Sequence, residues 1–504
     1  MRNLTATALL SFFATPASSN SSAGVAVGRP TVQLGGGTTI TGTIDPSTPS
    51  VRQFLGIPYA QAPLGSLRFS APRALTSPQG DVDATSVPPS CMQYLSSNAG
   101  FYTREVLQFN LGGLNVTGPV SEDCLTLSVW TPESAQAGAD LPVMIYVYGG
   151  GFQTGGVDVP YQLPPKWVER TGSHVVVVMN YRLNVFGFPS AAGLNATEQN
   201  LGLLDQRLAV EWARDNIAAF GGDPKRMGLW GQSAGSMSVG VYAFAYAEDP
   251  IVNSFMMDSG TELTDLFAEP LHSNFTFVAG KVGCGGLQAG EEVECMRKVP
   301  AEDIATFLKD YDDSGSQPGT RFWPVKDGKS VFGDYGKLYQ EGKIANIPAI
   351  IGSNAQDGNP FAPYDPNGVD QEAADAAKLS LFFCPAFKSS VNRVQAKIPV
   401  FRYEYFGNFT NVSPKSWMGA YHSAELPMLF GTHGDFRGES TQLERDTSAA
   451  MQDAWLALVR DGVAGVEALG WPAFGGVDGG DFVQQFGNGV ASKTGDTKDW
   501  EARC

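Results

Sequence analysis

The segment Met227-Gly228-Leu229-Trp230-Gly231-Gln232-Ser233-Ala234-Gly235-Ser236 is a short apolar run leading straight into Gly-x-Ser-x-Gly. A serine hydroxyl is a weak nucleophile unless it is held in place and its proton is taken. A strand that turns abruptly into a helix does the holding. It forces the apical serine into a strained backbone and presents its oxygen above the sheet, and the flanking Gly231 and Gly235 leave room for the turn. The chemistry this suits is attack on a carbonyl carbon, which also demands donors for the oxyanion that forms. A second apolar run, Val143–Tyr148, ends in Gly149-Gly150-Gly151-Phe152. Its backbone N–H groups can approach a substrate oxygen unobstructed. The expected oxyanion donors are those of Gly150 and Gly151 together with Ala234, next to the nucleophile. A glycine run at a strand end can be a turn and nothing more. The pairing of the two segments gives it meaning.

The elements that must position these residues are strands alternating with helices. Strands are expected at Leu125–Trp130, Val143–Tyr148, Val175–Met179, Met227–Trp230, Phe255–Asp258, Ala349–Gly352 and Phe401–Phe406. Val175–Val178 and Ala349–Ile351 are nearly continuous apolar stretches, as strands buried on both faces require. Between Asn200 and Phe220, Leu203, Leu204, Leu208, Val210, Trp212, Ile217 and Phe220 recur at helical spacing, and Gly221-Gly222-Asp223-Pro224 ends the helix. Such alternation predicts an α/β class: a large, mostly parallel central sheet with helices on both faces.

Composition excludes several alternatives. With 43% hydrophobic and 17% charged residues the 504-residue chain is not a disordered one. A net charge of −17 repels phosphate backbones and anionic lipid surfaces, so no nucleic-acid partner is expected. Residues 1–17 have a charged start, an apolar stretch through Leu9, Leu10, Phe12 and Phe13, and small residues up to Ala17. They read as a secretory signal, with 18–504 forming one catalytic domain. No later apolar run reaches the length of a transmembrane segment. Sequons at Asn20, Asn115, Asn195, Asn274, Asn408 and Asn411 point to glycosylation of an exported protein. Cys91, Cys124, Cys284, Cys295, Cys384 and Cys504 make an even set whose pairing composition leaves open, and none forms a metal-ligand cluster.

The serine and glycine segments together resemble the type-B carboxylesterase/lipase family of the α/β-hydrolase fold, in its secreted, fungal-like form. Phe54-Leu55-Gly56-Ile57-Pro58-Tyr59-Ala60 is similar to that family's N-terminal signature, with Leu67-Arg68-Phe69 behind it. Ser121-Glu122-Asp123-Cys124-Leu125 resembles its second signature. Asn180-Tyr181-Arg182-Leu183, Gly202-Leu203-Leu204-Asp205-Gln206-Arg207 and Phe220-Gly221-Gly222-Asp223-Pro224 follow in order. The likeness runs from about residue 30 to near the C-terminus.

The resemblance implies a triad in the chain order Ser, acid, His. Of four histidines, His174 precedes Ser233 and His272 precedes any plausible acid. His422, in Gly419-Ala420-Tyr421-His422-Ser423-Ala424-Glu425, matches the family's Gly-x-x-His-x-x-Glu segment; His433 is the runner-up. The acid is Asp357 of Ser353-Asn354-Ala355-Gln356-Asp357-Gly358, where the family usually has Glu. Ser259 matches a serine that supports the acid, and Gln232 replaces a frequent Glu beside the nucleophile.

The family likeness also implies the pairs Cys91–Cys124, Cys284–Cys295 and Cys384–Cys504, although Cys504 could instead bridge two chains. The first pair closes a lid-like loop over 91–124. This loop carries Tyr94, Phe101, Tyr102, Val106, Leu107, Phe109 and Leu111, and has no Trp to bind quaternary ammonium. A cholinesterase is therefore not expected. The short Asp357–His422 connection implies a reduced cap and a more open site. The expected activity is a secreted serine ester hydrolase acting on neutral carboxylic esters of small molecules or lipids, with no cofactor and no metal. Transesterase or lipase action is the alternative. A non-catalytic adhesion-type member is disfavoured by the retained Ser233, Asp357 and His422.

Overall fold

The computed structural model describes residues 29–75, 80–106, 120–268, 271–435, 437–476 and 482–504. The expected signal segment, Asn20, Asn115, and Leu107, Phe109 and Leu111 of the lid-like loop lie outside these residues. An 11-stranded sheet organises the chain. In sequence order its strands are β1 (Thr43–Ile44), β2 (Val51–Pro58), β3 (Thr126–Pro132), β4 (Leu141–Val147), β5 (Val175–Met179), β6 (Gly222–Gln232), β7 (Ser254–Asp258), β8 (Ala349–Asn354), β9 (Val400–Tyr405), β10 (Val483–Phe486) and β11 (Ser492–Gly495). Their spatial order is β11-β10-β9-β8-β7-β6-β4-β5-β3-β2-β1. The run from β10 through β9, β8, β7, β6 and β4 to β5 is parallel throughout. Antiparallel pairs are confined to the two ends.

Every residue of β5 and β8 is buried, which is why those strands read as unbroken apolar runs. β6 begins earlier than its apolar run, because Gly222 already pairs with Leu141 before the register shifts ahead of Met227. The helices include α1 (Leu201–Asn216), α2 (Ala234–Ala245), α3 (Gln371–Ala377), α4 (Cys384–Gln395), α5 (Gln442–Ala468) and α6 (Lys498–Glu501). Helix α5 opens with a reciprocal capping box between Thr441 and Glu444 and buries Met451, Trp455, Leu458 and Val459. No helix among the described residues is long and apolar enough to cross a membrane.

Blocks of sequence that lie far apart meet as buried ion pairs. Arg68 binds Glu122 through two of its nitrogens, and Arg182 grips Asp205 at 2.7 and 2.9 Å. Fixed forks of this kind specify geometry more than they add stability. All three expected disulfides are formed, Cys384–Cys504 within the one chain.

Candidate active site

β6 delivers Ser233 to the carboxyl edge of the sheet, and α2 departs at Ala234. Ser233 has φ 57° and ψ −123°, a conformation L-residues avoid, which persists because its surroundings over-determine it. A Cβ on Gly235 would lie 2.0 Å from the Val147 carbonyl oxygen, so the helix can start this close to β4 only with glycine there. The Ser233 N–H is tied to the Asp258 carbonyl at 2.8 Å. The glycine run after β4 faces the elbow: a Cβ on Gly149 would lie 2.7 Å from that of Ser233. Gly150 and Gly151 have φ 106° and 62°. The N–H of Ala234, at the first helical position, has no intrahelical acceptor.

The loops after β8 and β9 bring Asp357 and His422 together. His422 Nδ1 lies 2.8 Å from Asp357 Oδ1. The other carboxylate oxygen accepts bonds from Ser259 Oγ and the Asn354 N–H, both at 2.8 Å. With Asp357 fully buried, those donors leave the carboxylate one orientation. The loops are pinned to each other by Gln356, whose N–H donates to the Ala420 carbonyl while its side-chain oxygen accepts from the Ala420 N–H. Asn354 Nδ2 donates to the Tyr421 carbonyl and to Glu425, the glutamate of the histidine segment. Burial pushes the Glu425 carboxyl well above the carboxylate range and that of Asp258, which accepts from Trp230 Nε1, up to about 7. Both sit behind the site.

His422 reaches toward the elbow from this frame. Its Nε2 is 3.2 Å from Gln232 Nε2, one residue before the expected nucleophile. An amide nitrogen there can donate to an unprotonated Nε2 while Nδ1–H donates to Asp357. That is the tautomer a general base requires. His422 is only 3% exposed, with Phe382 and Phe361 against its imidazole. The short connection between Asp357 and His422 therefore does not bare the imidazole. Its length goes into α3, a π-helix (Lys378–Phe383) and α4.

The other histidines are engaged elsewhere. His174 is bonded to Thr171 Oγ1 at 2.8 Å, and burial pushes it down to about 3. His272 faces Ser190 Oγ at 3.1 Å. His433, the runner-up, bonds Ser440 Oγ at 2.6 Å, and burial pushes it down to about 4. Among the sequons, Asn195 and Asn408 are exposed. The Asn274 amide donates to the Arg321 carbonyl. Asn411 is buried, and its amide nitrogen donates to the His433 carbonyl and to Ser440.

Gln356 and Asn354 lie inside segments that stand out in the sequence, but their bonding depends on where two remote loops meet. Tyr102, from the disulfide-closed loop, donates to the His422 carbonyl at 2.9 Å. Nothing in its local sequence announces that contact.

The chain is 45% identical to a chlorogenic acid esterase of Aspergillus niger over 453 residues, 86% of each chain. It is 40% identical over 460 residues to secreted lipase 5 of Gibberella zeae, covering 85% of each. Against the mouse cholinesterase the identity is 28% over 481 residues, 84% of this chain and 78% of the other. The model of the carboxylesterase family matches residues 29–380, a span that takes in the glycine run, the serine elbow and the Asp357 loop. With that span and those relatives, the chain belongs to the type-B carboxylesterase family of carboxylic ester hydrolases.

Proposed function

We propose that the protein is a secreted serine esterase that cleaves neutral carboxylic esters through an acyl-enzyme on Ser233, with residues 18–504 as one catalytic domain. The observation that carries this reading is the Asp357–His422 pair, with His422 Nε2 turned to the residue preceding Ser233. Ser233 Oγ attacks the ester carbonyl as His422 Nε2 takes its proton. The carbonyl oxygen becomes an oxyanion facing the N–H groups of Gly150, Gly151 and Ala234. His422 then returns the proton to the leaving alcohol, and a water repeats the sequence to release the acid. Asp357 holds the Nδ1–H tautomer and stabilises the imidazolium, with Ser259 orienting Asp357. Transfer of the acyl group to a second alcohol instead of water would make the same site a transesterase.

Secretion fits the three disulfides and the relative named a secreted lipase. Among the described sequons, Asn195 and Asn408 are exposed and so open to glycan transfer, whereas Asn411 is buried.

A 4-nitrophenyl ester series from acetate to palmitate, run alongside chlorogenic acid, tests the substrate reading. Saturable turnover of dissolved short-chain esters is expected, with no rise when an oil–water interface forms. Activity restricted to long chains at the interface would instead assign a lipase.

Gln232 bears on the alcohol side. Replacing it with glutamate puts a buried carboxylate next to the leaving group, where an opposite charge is only weakly screened. Gln232→Glu is expected to raise the kcat/KM ratio of a choline ester over its uncharged dimethylbutyl analogue by about three- to tenfold. An unchanged ratio would remove Gln232 from alcohol selection.

A further inference from the structure

The His422 imidazole is held on more sides than proton transfer alone requires. Phe382 lies over its face, with ring centroids 4.4 Å apart and planes inclined at 30°. Phe361 meets it edge-on at 5.1 Å. Phe382 belongs to the π-helix between α3 and α4. A π turn is uncommon because it widens the helix by one residue per turn, and it recurs where a side chain has to be redirected.

This turn is tied down by Lys378, its first residue, which is 2% exposed. Lys378 Nζ donates to Glu404 at 2.9 Å and to the Ala355 carbonyl at 3.0 Å, two residues before Asp357. It also lies 3.9 Å from the centre of the Trp500 ring, on α6. Cys504, just beyond α6, is bonded to Cys384, the residue immediately after the π turn. A buried Lys–Glu pair is a poor stabiliser, because desolvation cancels most of its attraction, and an apolar side chain of equal volume would serve packing as well. A directional donor to the acid-bearing loop is something an apolar residue cannot supply.

We propose that Lys378 and Phe382 are positioning residues for ester hydrolysis. Lys378 holds the Asp357 loop and the π turn in register, and Phe382 fixes the plane of the imidazole between Asp357 and Ser233. The C-terminal segment, through Trp500 and Cys504, is part of that clamp. This rests on the Ser233–His422–Asp357 reading above. A freely tilting imidazole spends less time aligned with both partners, and small misplacements of reacting groups are costly.

The test is steady-state kinetics on 4-nitrophenyl butyrate and a series of butyrate esters of increasing alcohol size. It compares the wild type with Phe382→Leu, Phe382→Tyr, Lys378→Met and Ser233→Ala. In Phe382→Leu, kcat is expected to fall about tenfold with KM within about twofold, equally for all alcohols, and Phe382→Tyr should restore it. Lys378→Met should lose about fivefold in kcat at unchanged KM, and combined with Glu404→Gln, which leaves no unpaired buried carboxylate, it carries the test if Phe382→Leu does not fold. Wild-type kcat in folded Phe382→Leu or Lys378→Met would overturn the proposal. So would a loss that appears in KM and grows with alcohol size, since Phe382 would then touch substrate instead. Ser233→Ala separates the two levels: if it retains activity, the reading of the site itself fails. If it is inactive while the other variants behave as wild type, only the positioning role fails.

Discussion

Ser233→Ala is expected to reduce kcat on 4-nitrophenyl esters by about 10⁵- to 10⁶-fold while leaving KM close to the wild-type value. The size follows from what the elbow does. A single oxygen is presented from a backbone at φ 57°, fastened by the Asp258 carbonyl on one side and the start of α2 on the other. The hydroxyl bonded to the acid, Ser259 Oγ, is committed to the Asp357 oxygen that does not face His422. Removing that oxygen removes the acyl-enzyme, so only the positioned backbone donors remain to assist water, and these are worth about 10³–10⁴-fold over the uncatalysed reaction. Substrate binding depends on surfaces that alanine leaves in place, which keeps KM steady. Pre-steady-state release of 4-nitrophenolate with substrate in excess checks the prediction, because it shows whether an acyl burst survives.

Asp357→Asn should cost about 10⁴-fold in kcat with little change in folding stability. The Oδ1 atom accepts from His422 Nδ1, while Oδ2 is already committed to Ser259 and the Asn354 N–H. Those two fixed donors force the amide oxygen of an asparagine onto the Oδ2 side and turn its NH₂ toward His422. The imidazole must then place its lone pair on Nδ1 and its proton on Nε2, which leaves no base facing Ser233. Asp357→Glu keeps the charge and lengthens the arm by one methylene. A loss of about 10- to 100-fold is expected there, because the loop is set by the Gln356–Ala420 bonds for the shorter side chain. The contrast between the two variants, measured on one ester, separates tautomer control from arm length.

How far the sequence carries depends on whether a feature is local. Val175–Met179 is a strand with the expected ends, since an apolar run of that length bounded by polar residues has no other stable home in a parallel sheet. The serine elbow is equally local, and its glycines are explained by contacts within a few residues and the neighbouring strand. The expected partner of the acid, His422, rests on family likeness; the structure adds the Nδ1–Oδ1 contact that sequence spacing could not supply. Phe382 is invisible in sequence because its place against His422 comes from a π turn fixed by a buried lysine and by the far end of the chain. The approach of Gln232 to His422 Nε2 is hidden for a similar reason. The sequence marks the residue as unusual, but only the meeting of the end of β6 with a remote loop gives it a partner.

The central claim is covalent catalysis at Ser233, and labelling tests it most directly. The intact protein is treated with one equivalent of a fluorophosphonate, digested and mapped by mass spectrometry, with esterase activity followed in parallel. The expected result is one adduct per chain, on the peptide containing Ser233, formed in step with loss of activity and absent from Ser233→Ala. An adduct on another residue that tracks the loss of activity, or full activity with Ser233 quantitatively modified, would contradict the account.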